Sequence, residues 1–438
     1  MNCKKILIVV LLIAVTMLTG CSMRTIDQMY CLPERSEDYL NLQTAINEAM
    51  VGLEYNAPIS GDNRQSIQTV DLDGDGELEY LLFAKGNDEK PLKILIFTFK
   101  DGAYTLTDTL AGAGTAFDQV LYIRMNGGKG YQLVVGRTVS DQLVRPVSVY
   151  TMVDSHMEQV LTTGYSRLVC TDLNEDKQAE LMVLRPGDEP GSNGVAELYT
   201  MEKGVVERSP EIAMSKPVEN IKRMMVSKLN DGLPAVYVAS DVDGTAIITD
   251  VYAIVDDAFT NVSFSNESGT SVQTLRNYYV YADDIDKDGA LELPDLIPMQ
   301  TAENATQDTQ YLIRWYAMTS DGSEVNKVYT YHNFVGKWYV QLPEKAVNRI
   351  TVNQLGNSYE FMIQEEDGTS NRLMTIYVFT GQNREEQAVS ENRFVLYRSE
   401  STVYAAHLDV TSTAYNMSSE SLINAFRLIA EDWKTEET

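Results

Sequence analysis

The chain has 438 residues and a formal net charge of −28 at pH 7, from 63 acidic and 35 basic side chains. A surface this acidic repels nucleic-acid phosphates, so the composition argues against a nucleic-acid partner. It contains four cysteines and three histidines, and no histidine stands in a recognisable catalytic motif.

The N-terminal segment predicts export and a lipid anchor. Residues 1–20 contain two lysines and a short apolar run from Ile6 to Leu18, which is typical of a signal peptide rather than a membrane span. The following Leu-Thr-Gly-Cys21 resembles the lipobox of bacterial lipoproteins. This resemblance implies that Cys21 is lipidated; the alternative is an ordinary secretory signal. Residues 21–35 then form a tether, and we expect the protein on the extracytoplasmic face of the cell membrane, attached only by its lipid.

The cysteines that remain after export allow one disulfide. Cys3 leaves with the signal peptide and Cys21 would carry lipid, so only Cys31 and Cys170 are left to pair. Since Cys31 lies in the predicted tether, two free thiols are the alternative, and the fold does not depend on this bond.

Flanking helices are predicted at both ends of the domain, which we place at residues 36–438. Apolar residues at helical spacing, including Leu42 and Ile46, indicate a helix over about 36–52. Ser418 can cap a second helix over about 418–434. Both helices are expected to cover an end or an edge of the intervening structure.

One nine-residue acidic pattern occurs three times between those helices. Oxygen side chains stand at positions 1, 3 and 5 and an acid at position 9, while position 7 can offer its backbone carbonyl. The candidate ligands are Asp71, Asp73, Asp75, Glu77 and Glu79; Asp172, Asn174, Asp176, Gln178 and Glu180; and Asp284, Asp286, Asp288, Ala290 and Glu292. Ca²⁺ takes six to eight oxygen ligands, so we predict two to three structural Ca²⁺ sites. Plain hairpin turns, which also favour Asp and Gly, are the alternative.

The acidic pattern belongs to a longer repeat. Eroded copies begin at Arg124 and Lys228, so the unit recurs at steps of 53, 48, 56 and 56 residues. Apolar runs, tight turns and alternating strands give four short antiparallel strands per unit. The predicted fold is therefore all-β, a β-propeller of six or seven four-stranded blades. In the eroded copies, either a fixed side-chain cation replaces the metal or the loop has become a solvated turn.

The repeat resembles the FG-GAP or VCBS-type repeats of integrin-alpha-like propellers over roughly residues 64–390. That resemblance implies calcium ligation by the acids of the 71–79 and 284–292 loops, although Glu replaces the more usual Asp at position 9. The 172–180 loop departs further from the pattern, because Lys177 stands where Gly76 and Gly289 allow a sharp turn.

Three functions are compatible with these features. We expect no enzyme but a non-catalytic binding or scaffolding module for a protein or glycan. One alternative is a polysaccharide-acting enzyme with carboxylates from several blades in the propeller channel, and another is an envelope-assembly or structural factor. Exposed aromatic groups would support binding, whereas buried ones indicate packing; the groups in question are Tyr278-Tyr279-Tyr281, Trp315-Tyr316 and Trp338-Tyr339.

Overall fold

The computed structural model describes residues 37–139, 143–189, 191–277, 280–299, 310–365 and 367–429. The predicted signal peptide and tether, with Cys21 and Cys31, lie outside these residues, as do Tyr278 and Tyr279. The Cys31–Cys170 disulfide therefore stays a prediction. In the described part of the chain, no helix combines the length and the hydropathy needed to cross a membrane.

Six antiparallel sheets, numbered I to VI, follow one another along the chain. Sheet I contains β1 (Glu54–Tyr55), β2 (Ile67–Val70), β3 (Glu79–Lys85), β4 (Leu92–Lys100) and β5 (Ala103–Gly112). Sheet II contains β6 (Ala116–Ile123), β7 (Gln132–Thr138), β8 (Arg145–Val153) and β9 (His156–Tyr165). Sheet III contains β10 (Arg167–Thr171), β11 (Glu180–Arg185), β12 (Val195–Glu202), β13 (Val205–Arg208) and β14 (Ile212–Ala213).

The second half of the chain continues this arrangement. Sheet IV contains β15 (Ile221–Lys228), β16 (Pro234–Val242), β17 (Ala246–Val255) and β18 (Ala258–Asn261). Sheet V contains β19 (Glu292–Pro298), β20 (Tyr311–Met318), β21 (Glu324–Asn333), β22 (Trp338–Leu342) and β28 (Phe426–Leu428). Sheet VI contains β23 (Ile350–Leu355), β24 (Ser358–Gln364), β25 (Ser370–Thr380), β26 (Phe394–Arg398) and β27 (Thr402–Leu408).

This topology confirms the all-β, blade-like prediction. Four sequential strands run up and down through each of sheets I to V, while β27 and β26 complete sheet VI in the order β23-β24-β25-β27-β26. The 394–408 hairpin thus belongs to the sixth blade and does not begin a seventh. The described residues form six blades.

Two-residue turns connect β4 to β5, β8 to β9, β12 to β13 and β17 to β18. Asp101 and Gly102, for example, join β4 to β5 with φ angles of 55° and 86°. Positive φ at both positions matches the twist of the flanking strands. In sheet II the turn is Asp154-Ser155, and His156 begins β9.

The core lies between the sheets. Each neighbouring pair shares a hydrophobic cluster, from I with II through V with VI. Between sheets I and II, Phe83 and Phe117 are buried and meet edge to face with their ring centroids 5.1 Å apart. Because burying a large apolar side chain contributes about 1.5–3 kcal/mol, each sheet depends on its neighbours for most of its stability.

Helices cover the outer faces of the two terminal sheets. Helix α1 (Glu37–Ala49) packs Leu42 and Ile46 on Leu82, Leu95 and Phe97 of sheet I. On sheet VI, α2 (Arg384–Val389) contributes Ala388 to a cluster with residues of β25 and β27. Each helix covers the face of its sheet that points away from the neighbouring sheet. Within the described residues, no hydrophobic cluster joins sheet I to sheet VI.

The C-terminal helix is shorter than the predicted 418–434. Helix α3 spans Ser419–Ala425, with the expected cap at Ser418 in a capping box with Ser421. Phe426 then begins β28, pairs with Val340 of β22 and stacks on Trp338. The free edge of sheet V thus gives Phe426 backbone pairing with β22 and an apolar pocket. These contacts stabilise a strand here, although the spacing of the apolar residues favours a longer helix. Residues beyond 429 lie outside the described part.

Candidate metal centres

The three acidic loops occupy the same place in three different sheets. The 71–79 loop joins β2 to β3, and the 172–180 loop joins β10 to β11. The 284–292 loop precedes β19, and a bridge between Asp283 and Glu292 closes its base. Two of the loops therefore connect the first two strands of their sheets, and the third leads from a single bridge residue into the first strand of sheet V.

Short-range hydrogen bonds fold each loop around its first aspartate. The backbone N–H of position 6 donates to that carboxylate in all three loops. The bonds are Gly76 to Asp71 at 3.2 Å, Lys177 to Asp172 at 2.8 Å and Gly289 to Asp284 at 3.1 Å. The residue at position 6 has positive φ in each case, which glycine adopts freely and lysine adopts at a conformational cost. Lys177 thus takes the strained conformation that its position requires.

The ninth-position glutamate lies inside the fold. Glu79, Glu180 and Glu292 are only 2%, 3% and 0% exposed. Each accepts a hydrogen bond from the backbone N–H of position 2, over 2.6, 2.7 and 2.9 Å. The position-2 residue is itself a buried apolar side chain, and its burial draws the glutamate inwards. Every loop consequently carries a buried carboxylate.

Burial and neighbouring acids raise the pKa of these glutamates. Removal from water is the largest cause, the loop aspartates add repulsion, and the backbone bond offsets part of both. The pKa rises to about 7 for Glu79 and Glu180 and to about 8 for Glu292. A bound cation would favour the ionised carboxylates and relieve this repulsion.

Two of the loops bring three carboxylates close enough to hold a metal ion. Ligand oxygens of one triad lie within 4.8 Å of one another, and so do those of the second; the triads are Asp71, Asp73 and Glu79, and Asp284, Asp286 and Glu292. In the second, Glu292 Oε1 and Asp284 Oδ1 are buried without a hydrogen-bond partner. Buried carboxylate oxygens rarely lack partners, so a hard cation fits this donor set.

The remaining predicted ligands of these two loops stand at positions 5 and 7. Asp75 and Asp288 at position 5 accept the backbone N–H of position 7. At position 7, the side chain of Glu77 is exposed and that of Ala290 is buried. Position 7 can supply only its backbone carbonyl in the Ala290 loop, as predicted.

The 172–180 loop is a weaker candidate. Asn174 and Gln178 each donate a side-chain amide hydrogen bond to Asp176, at 3.2 and 3.0 Å. Among the described residues, no three carboxylates converge here as they do in the other two loops. Asp172 nevertheless keeps one buried oxygen, Oδ1, without a partner, so part of the pattern remains.

The eroded loop of sheet II, residues 124–132, keeps the buried hydrogen bond of the acidic loops but contains no acidic side chain. Gln132 at its ninth position accepts the N–H of Met125 at 2.7 Å, as the glutamates do elsewhere. Gln132 was not predicted, because the pattern requires an acid at position 9; the available signal was a polar acceptor eight residues after Arg124. Arg124 stacks over Tyr131, with 4.5 Å from its guanidinium carbon to the ring centroid.

The loops of neighbouring sheets are connected. The carbonyl of Arg124 accepts from Ala179 N at 2.6 Å, and that of Lys228 accepts from Leu291 N at 3.2 Å. Both bonds join position 1 of an eroded loop to position 8 of an acidic loop. The Lys228 ammonium also pairs with Glu175, 3.1 Å away. The hypothesis that basic residues replace a metal stays a prediction. The Lys228 ammonium pairs with an acid of the 172–180 loop in the neighbouring sheet III.

The described aromatic groups pack rather than form exposed platforms. Trp315, Tyr316, Trp338 and Tyr281 are at most 1% exposed. The half-buried Tyr339 stacks on His332 with ring centroids 5.0 Å apart. Of the two interpretations of the sequence, packing rather than an exposed binding platform is therefore correct for these residues.

A separate cavity of about 500 Å³ lies against sheet V. Its lining includes Arg276, Gln310, Tyr311 and His332. Arg276 is 4% exposed and donates through Nη1 to Thr249 Oγ1 and to the carbonyl of Thr274. Aromatic walls with a few polar groups are typical of small-ligand sites.

Comparison with known proteins gives only weak likenesses. No family model and no curated protein matches the chain. Among solved structures, rhamnogalacturonan lyase YesW shares 11% identity over 74% of this chain and 67% of its own, with a TM-score of 0.30. A Bacillus licheniformis rhamnogalacturonan lyase shares 12% sequence identity over 73% of this chain and 71% of its own, with a TM-score of 0.31. A Lactobacillus plantarum protein shares 10% sequence identity over 72% of this chain and 85% of its own, with a TM-score of 0.25. Scores this low carry no inference about activity.

Proposed function

We propose that this protein is a lipid-anchored, extracytoplasmic propeller that Ca²⁺ stabilises and that acts as a non-catalytic binding or scaffolding module for a protein or glycan. The observation that carries the metal assignment is the buried ninth-position glutamate, which converges with two aspartates in the 71–79 and 284–292 loops.

The donor chemistry favours Ca²⁺ over other metals. The converging side chains of both triads are carboxylates, and a backbone carbonyl is available at position 7 of each loop. Hard oxygen donors on a flexible loop suit Ca²⁺, whereas Zn²⁺ prefers nitrogen and sulfur ligands. When bound, the ion neutralises the clustered acids and holds the loop that leads into β3 or β19 in one conformation. The role of these residues is therefore structural.

The non-catalytic assignment rests on where the unusual acids lie. Among the described residues, the carboxyl groups whose pKa rises to about 7 or 8 all belong to the acidic loops. His332 is buried between aromatic rings and hydrogen-bonds Thr330. The cavity beside Arg276 is a suitable place for a group of the partner to enter. An enzyme acting on polysaccharide remains the alternative that an activity screen would reveal.

Location and calcium dependence can be tested together on cells stripped of their wall and of any outer membrane. Protease added from outside should degrade the protein when a chelator is present and spare most of it in millimolar Ca²⁺. Cys21→Ser should move the protein from the membrane fraction to the soluble fraction, whereas Cys170→Ser should not. Protection from protease until the cells are lysed, with calcium making no difference, would contradict the proposal.

A further inference from the structure

An ammonium group lies at the acidic loop of sheet V. Lys327, on β21, forms an ion pair with Asp288, the fifth-position acid of the 284–292 loop. Its side chain is 15% exposed and that of Asp288 is 41% exposed. Among the ion pairs of the described residues, none involves an acid of the 71–79 loop. Of these two loops with the same donor pattern, the 284–292 loop thus has an ion-paired acid, and the described residues give the 71–79 loop none.

A β-bulge positions this lysine. Trp315 pairs with Val328, whereas the next residue, Tyr316, pairs with Asn326, so Lys327 is the extra residue between them. A bulge redirects the side chain of its unpaired residue and increases the local twist. The ion pair with Asp288 is thus a consequence of how β21 pairs with β20.

Sheet I has the same bulge with a neutral residue. Ile96 pairs with Asp108 and Phe97 with Leu106, which leaves Thr107 unpaired. The two bulges correspond, because in both sheets the residue after the ninth-position glutamate pairs with the residue just after the bulge site. The Thr107 hydroxyl donates to the Ile96 carbonyl at 3.3 Å. The sequence therefore places a charged residue at the bulge of sheet V and a neutral residue at the bulge of sheet I.

We propose that Lys327 is a tethered cation that competes with the metal for Asp288, so that the 284–292 loop binds Ca²⁺ more weakly than the 71–79 loop. This inference rests on the proposed function. A metal ion drawing on Asp288 would lie beside the ammonium group and be repelled by it. The lysine stem is flexible enough to swing into solvent, but doing so gives up the ion pair. The two loops would then fill at different calcium concentrations.

The test measures Ca²⁺ affinity at one loop at a time. The full chain is purified in detergent, freed of metal and titrated against a chromophoric chelator. In a background of Asp71→Ala and Asp172→Ala, only the 284–292 loop keeps its first aspartate. Lys327→Met preserves the side-chain length without the charge, Lys327→Thr copies sheet I, and Lys327→Arg retains the charge. Melting temperatures in chelator check that each variant folds.

We expect the Kd of the remaining loop to fall about tenfold in Lys327→Met and Lys327→Thr, because one neighbouring cation has been removed. Lys327→Arg should leave the Kd unchanged. An unchanged or higher Kd in folded Lys327→Met would overturn the inference. A matched chain with Asp172→Ala and Asp284→Ala reports the 71–79 loop. If that chain still binds Ca²⁺, only the role of Lys327 has failed; if the chain with all three loops intact binds none, the proposed function has failed.

Discussion

In saturating Ca²⁺, the melting temperature of the chain should exceed its value in chelator by roughly 6 °C, and the double variant Asp71→Ala, Asp284→Ala should lose this difference. Ligand at about 100 times Kd contributes about 2.7 kcal/mol per site, so two sites contribute about 5 kcal/mol. An unfolding entropy of about 2.1 cal/mol/K per residue converts that energy into the stated shift. Thermal unfolding followed by tryptophan fluorescence provides the measurement.

The diagnostic quantity is the difference between calcium and chelator, not the absolute melting temperature. Asp71 also accepts the N–H groups of Gly74 and Gly76, so its loss weakens the loop even without metal. Asp321 and Asp367 provide a matched control, because each accepts the backbone N–H two residues later in a hairpin outside the acidic loops. The double variant Asp321→Ala, Asp367→Ala should keep the calcium-dependent rise. Equal responses from the two double variants would exclude the loops as the source.

Replacing Glu292 by Gln should change stability in opposite directions with and without calcium. The pKa of Glu292 is about 8 in the folded protein and 4.5 as the ordinary value. Its protonated form is thus favoured by folding, and the associated stability is complete below pH 4.5 and is lost as the pH rises through about 8. In chelator, the variant and the original chain should be nearly equal at pH 4.5. At pH 8.5 the variant should be more stable by a few kcal/mol, on the order expected for a shift of this size.

Saturating Ca²⁺ should reverse that order at pH 8.5, because the ion needs the ionised carboxylate that Gln lacks. The substitution is structurally mild, since Gln132 already makes the equivalent backbone hydrogen bond in sheet II. Denaturant unfolding at the two pH values, with and without calcium, measures all four cases. A variant that is less stable than the original chain in chelator at pH 8.5 would show that burial of this carboxylate carries no penalty.

The sequence was most informative where the chemistry is local. Nine consecutive residues contain all the candidate ligands of a loop, so Asp71, Asp172 and Asp284 could be proposed from spacing alone. The four-stranded unit around each loop also followed from the apolar runs and tight turns of the repeat. Burial of Glu79 and Glu292 was not predicted, because it depends on packing of the position-2 residue against neighbouring strands.

Features that depend on distant residues were missed. Phe426 fits a helical pattern, but an open edge of sheet V lies beside it and converts it to a strand. Lys327 lies 39 residues from Asp288, and only the bulge in β21 brings them together. Helix α2, which covers sheet VI, has too short an apolar pattern to be recognised before its partner sheet is known.

Counting the bound ions decides whether the acidic loops bind calcium. Equilibrium dialysis of the metal-stripped chain against Ca²⁺, followed by elemental analysis, gives the number of ions per molecule. The account predicts two to three ions, and a loss of one ion in each of Asp71→Ala and Asp284→Ala. Finding no bound calcium, or a number that neither substitution changes, would contradict it.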